Sequence, residues 1–175
     1  MKHKRLTTQF IRRLIFMIFT VFAFIIQCII LPRGIPSMPV YLLLPLLISI
    51  SMYEREFTGL FFGLFAGALW DLASPLTDGF LALVFAVCAY AIGLLSRYIL
   101  RNTLLSQIVL TVVLSAVYSV FMLIHTGLSS GTEFLRELTL GMYLPALILT
   151  VLAGIPIYFA IRKISIKFRY DKLNS

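Results

Sequence analysis

Residues Gly59 to Pro75 read GLFFGLFAGALWDLASP, with glycine at Gly59, Gly63 and Gly67 and a carboxylate at Asp71, each four residues after the one before. A four-residue step turns an α-helix by about 400°, so these positions form a slowly drifting ridge along one side of a single helix. The residues between them are leucine, phenylalanine, alanine and tryptophan. A strip of bare backbone on an otherwise apolar helix suits a membrane, because lipid tails compete with any ordinary apolar contact and close backbone approach is what favours helix association. The other faces carry Phe61, Phe62, Leu64, Phe65 and Leu69, which can face lipid or fill a bundle.

The rest of the chain agrees with a membrane setting. Of its 175 residues 61% are hydrophobic, and the mean hydropathy of +1.01 exceeds what a soluble domain covers with polar surface. Six apolar runs are predicted as transmembrane helices, at about Leu14–Leu31, Pro39–Met52, Thr58–Leu72, Gly79–Leu95, Leu104–His125 and Thr139–Ile161. The expected fold is therefore an all-α, six-helix polytopic bundle forming one integral membrane domain over residues 1–175. The longest connection, about Thr126 to Leu138, is too short for a folded soluble domain. The first run is longer than a signal-peptide core and is followed by LPRGIPS, without an A-x-A-like cleavage site, so it reads as a retained helix.

Runs two and three are short for a hydrocarbon core of ~30 Å. Two short crossings are favoured over a re-entrant hairpin, which would put Glu54, Arg55 and Glu56 at membrane depth. Pro45, Pro145, and Gly154 with Pro156 are candidate kinks. With the N-terminus cytoplasmic, only Arg33 and Arg136 of the 15 basic residues fall outside, which predicts both termini on the cytoplasmic side. The net charge of +8 then reflects orientation and attraction to anionic lipids, without nucleic acid. Cys28 and Cys88 lie within apolar runs and read as packing residues.

Asp71 falls at the outer, C-terminal end of the third helix, where the helix dipole disfavours an anion. Its candidate partners are Arg33, Arg136, His125 and backbone donors in the turn from Ala73 to Thr77. Asp78, just before the fourth run, is placed to act as an N-cap.

Catalytic chemistry finds no support. The histidines His3 and His125 are isolated, so no H-E-x-x-H zinc site is available. Glu133 and Glu137 are accompanied by Arg136 and lack a nucleophile; they read as a solvated interfacial turn. Asp71 and Asp78 share one short connection and do not form a facing dyad. No phosphate loop, nucleotide fingerprint, cofactor-binding residue or metal cluster is present in the sequence.

The glycine-stepped helix running into WDLASP, the TDGFLAL start of the next helix, the preceding PVYLLL, the basic N-terminus and the chain length together resemble the MreD family of rod shape-determining proteins. The resemblance is concentrated in Pro39 to Leu95. It implies a non-enzymatic scaffold of the bacterial elongasome, in the cytoplasmic membrane, associated with membrane-anchored MreC. Through that complex it implies an indirect link to MreB and to the peptidoglycan glycosyltransferase and transpeptidase. It also implies a fold similar to the substrate-binding subunits of energy-coupling factor vitamin transporters. Gly59, Gly63, Gly67 and Asp71 are the positions that fit the family pattern, and helix geometry gives them the role of helix-packing or partner contacts. The alternative reading is such a transporter subunit itself. Those subunits resemble one another in an A-x-x-x-A docking edge on the first helix, whereas here Ala23 is the only alanine of that run and glycine is absent from it.

Overall fold

The computed structural model describes residues 2–30, 40–73, 79–99, 102–127 and 144–173, with side chains for 10–29, 40–73, 79–99, 102–120 and 145–167. Arg33, Arg136, Asp78 and the connection carrying Glu133 and Glu137 lie outside these residues, as does the side chain of His125. The described backbone is helical: α1 (Lys2–Ile25, continued by a π-helical turn, Ile26–Ile30), α2 (Leu43–Tyr53), α3 (Glu56–Ala73), α4 (Phe80–Tyr98), α5 (Leu104–Gly127) and α6 (Leu144–Leu173). Four stretches are long and apolar enough to cross a membrane: Phe10–Ile29, Glu56–Ala73, Phe80–Tyr98 and Pro145–Lys167. The protein is thus a helical multi-pass membrane protein.

Several element boundaries differ from the sequence expectation. α1 begins well before Leu14 and α6 continues past Ile161, so both helices extend into their basic flanks. Of the proline positions, Pro45 and Pro145 stand in the first turns of α2 and α6, where the missing amide has no intrahelical partner to lose. Pro156 stands in the interior of α6.

The short helix is the centre of the bundle. α2 has 11 residues, about 16 Å of helix, and it packs against each of the other five helices. Every residue from Leu43 to Met52 is buried, which accounts for a sequence apolar on all sides. A helix buried at both ends must have its terminal polar groups met by neighbours. Gln27 in the π-helical turn accepts from the Leu43 amide at 3.0 Å, and the Thr150 hydroxyl accepts from the Tyr41 amide at 3.1 Å. At the other end Ser96 donates to the Met52 carbonyl. Inside, Ser49 returns its hydroxyl proton to the Pro45 carbonyl at 2.7 Å, and Thr20, Thr111 and Thr150 make the same i−4 bond. The outer surface is apolar: on α1, Phe10, Ile18 and Phe22 are exposed, while Phe16, Thr20 and Ala23 turn inward.

Charge gathers where α2 passes into α3. Arg12 Nη2 lies 2.7 Å from Glu54 Oε1, and Arg97 Nη1 lies 2.5 Å from Glu56 Oε1. Arg13 donates to the Thr58 hydroxyl at 3.3 Å. The Glu54 side chain is only 2% exposed. Its burial raises the carboxyl above the ordinary carboxylate value, with Arg12 and Arg13 pulling the other way.

Candidate functional site

The glycine ridge of α3 faces α4. Gly59, Gly63 and Gly67 are all buried, and the facing stripe of α4 is made of Ala82, Ala86, Ala89 and Gly93, small residues at helical spacing. The helices are antiparallel: Glu56 meets Gly93, Gly59 meets Ala89, Gly63 meets Phe85 and Ala86, and Gly67 meets Leu81 and Ala82. A methyl group at Gly63 would stand 2.4 Å from the Phe85 carbonyl oxygen and 2.8 Å from the Ala86 Cα. At Gly67 it would stand 2.4 Å from the Ala82 Cα. Both approaches are to main chain, which cannot rotate away. Gly59 is looser, with the nearest atom, the Ala89 carbonyl oxygen, at 3.3 Å. Phe57, Phe61 and Leu64 project from the opposite face of α3 and are exposed.

Asp71 closes this seam. Its Oδ2 accepts a hydrogen bond from the Ala82 amide at 2.9 Å. Ala82 is the third residue of α4, so the carboxylate caps one of the amides that the first turn leaves unpaired. The dipole at the end of α3 disfavours an anion, but the antiparallel neighbour presents its positive end at the same place. The N-cap position of α4 falls on Gly79, which makes no side-chain cap and has a left-handed φ of 85°. Only glycine enters that conformation without strain. Asp71 thus caps α4 from the preceding helix; the expectation for Asp78 lies outside the described residues.

Beside the carboxylate lies a buried aromatic cluster. Trp70 stacks on Tyr41 with ring centroids 5.5 Å apart, meets Tyr118 at 5.2 Å and Phe85 edge-on at 5.4 Å. Tyr41 also meets Tyr118 at 4.9 Å. These rings fix the segment leading into α2 to α3, α4 and α5 next to the Asp71 bond. Neither the rings nor the Ala82/Ala86/Ala89/Gly93 stripe is among the positions expected from the sequence. The stripe had a usable signal, four small residues in steps of four, three and four within ALVFAVCAYAIG.

Among the described residues no group of histidine, cysteine or carboxylate side chains could hold a metal ion, and Cys28 and Cys88 are free thiols. What the seam can do is hold two membrane helices at backbone contact. Fold and site together define a helical multi-pass membrane protein whose conspicuous chemistry is packing. The chain belongs to the MreD family of rod shape-determining proteins, whose family profile matches residues 7–168. This is a non-enzymatic cell-shape family. No curated protein and no solved structure matches the chain.

Proposed function

We propose that this protein is a scaffold of the bacterial cell-wall elongation complex, supporting rod shape and lateral peptidoglycan synthesis through association with MreC. It acts with all six helices crossing the cytoplasmic membrane and both termini on the cytoplasmic side, where the positive charge concentrates. MreB and the peptidoglycan glycosyltransferase and transpeptidase are reached through that complex. The observation that carries this reading is the family match along residues 7–168. In this scheme Gly59, Gly63, Gly67 and Asp71 make α3 and α4 one stiff hairpin, leaving the outward faces to partners and lipid.

The test is to tag the chain in its own host, extract it in mild detergent and identify the co-purifying proteins by mass spectrometry. MreC and wall synthases are expected. Recovery of paired ATPases with a transmembrane coupling subunit would overturn the reading in favour of a vitamin transporter. Gly63→Leu should lower the yield of the complex more than Phe61→Leu, and equal yields would separate the seam from assembly.

A further inference from the structure

The charged end of the bundle encloses a cavity of about 310 Å³, open to the surface, between the N-terminal part of α1, the α2–α3 junction, the end of α4 and the start of α5. Its size is at the lower end of small-molecule sites, about 300–1,000 Å³, and corresponds to roughly ten waters at ~30 Å³ each. Arg12, Arg55 and Arg97 line it, with Glu54, Glu56 and Asn102. Three guanidinium groups against two carboxylates leave a formal charge of +1.

The pairing within this wall is incomplete in a specific way. Arg12 and Arg97 each spend one nitrogen on a glutamate, but the Arg97 side chain stays 56% exposed and only its Nη1 meets Glu56. Arg55 is exposed and has no ion-pair partner among the described residues. Two exposed guanidinium groups lining one hollow suit an acceptor with several oxygens. Arginine forks match phosphate oxygens geometrically and remain charged at any physiological pH.

The surroundings favour a lipid as the bearer of that phosphate. The residues following Glu56 and Arg97 along the chain, Phe57 and Tyr98, are 70% and 74% exposed, which puts large apolar and amphipathic side chains beside a polar hollow at the ends of membrane helices. Acyl chains can lie on such a rim while the headgroup enters the hollow; basic pockets between transmembrane helices take lipid headgroups in this way.

We propose that this cavity is a binding site for the phosphodiester headgroup of one anionic phospholipid, with Arg55 and the nitrogens of Arg97 not engaged by Glu56 as its main contacts. The site is separate from the α3–α4 seam and places a lipid against α1, α3, α4 and α5 at once.

The experiment titrates phosphatidylglycerol into the full chain in neutral detergent and counts bound lipids by native mass spectrometry. One saturable lipid is expected, with phosphatidylcholine binding more weakly and inorganic phosphate failing to displace it. Arg55→Gln removes a charge that holds no ion pair among the described residues, and should weaken binding about tenfold, the loss of one charged hydrogen bond. Lys163→Gln, an exposed basic residue of α6 outside the cavity wall, should change it less than about twofold. Equal losses in the two variants would reduce the effect to general surface charge and overturn the site. Equal binding of phosphatidylcholine would overturn the selectivity for an anion, and displacement by inorganic phosphate would overturn the lipid as its source.

Discussion

A single added methyl group at Gly63 tests the seam most directly. In place of hydrogen, the Cβ of Gly63→Ala would sit 2.4 Å from the Phe85 carbonyl oxygen and 2.8 Å from both the Ala86 Cα and the Ala89 Cβ. Ordinary contact requires a retreat of α3 from α4 by roughly 1 Å, which forfeits a quarter to a half of each dispersion contact along the interface. Overpacking of this kind costs about 1–3 kcal/mol. Alanine also gains about 1 kcal/mol in helix propensity over glycine, but Gly59→Ala gains the same. Its Cβ meets nothing closer than 3.3 Å. The difference between the two variants therefore isolates the clash, at about 2 kcal/mol, or roughly 4–8 °C in melting temperature for a chain of this size. Both variants are heated in mild detergent, and the fraction surviving as a monodisperse peak in size-exclusion chromatography is followed. Equal midpoints would refute the reasoning, because they would mean that the helices yield at Gly63 as easily as at Gly59.

Asp71→Ala should lower stability by about 0.5–2 kcal/mol, the usual cost of a lost helix cap, whereas Asp71→Asn keeps an acceptor for the Ala82 amide and should retain most of it; equal melting temperatures for the two would show that charge alone matters. Glu54 holds its proton to higher pH in the folded chain than in the unfolded one, because burial raises it. Its contribution to stability is therefore present at low pH and is lost as pH rises through the folded value. Arg12→Gln removes the opposing pull and should steepen that loss in melts recorded from about pH 4 to about pH 8, while Glu54→Gln should flatten it. Trp70→Ala empties the centre of the Tyr41, Tyr118 and Phe85 cluster and should cost about 3–5 kcal/mol; hydrogen exchange at the start of α4 should accelerate in the same variant.

The apolar composition, the helical class and the one-sided glycine ridge of α3 are all readable from the chain, because each depends on neighbours within a few turns. Leu43 to Met52 also reads as apolar all round, which marks a buried helix; that it touches all five others depends on their arrangement. The partners of the charged residues are less accessible still. Arg12 and Glu54 are 42 positions apart, and Glu56 and Arg97 are separated by 41. The sequence had several basic residues of equal claim, and only the side-by-side placement of α1, α3 and α4 selects among them.

Asp71 shows the division most clearly. Its place at the unfavourable end of a helix dipole is a local property, and so is its need for a donor. Residue types and short spacings can name only a cation or the nearby turn as that donor. One donor that the structure shows among the described residues is the main-chain amide of Ala82, a group every residue but proline carries and no sequence pattern distinguishes. It becomes available because α4 returns antiparallel to α3 at backbone contact, bringing the unpaired amides of its first turn to the carboxylate.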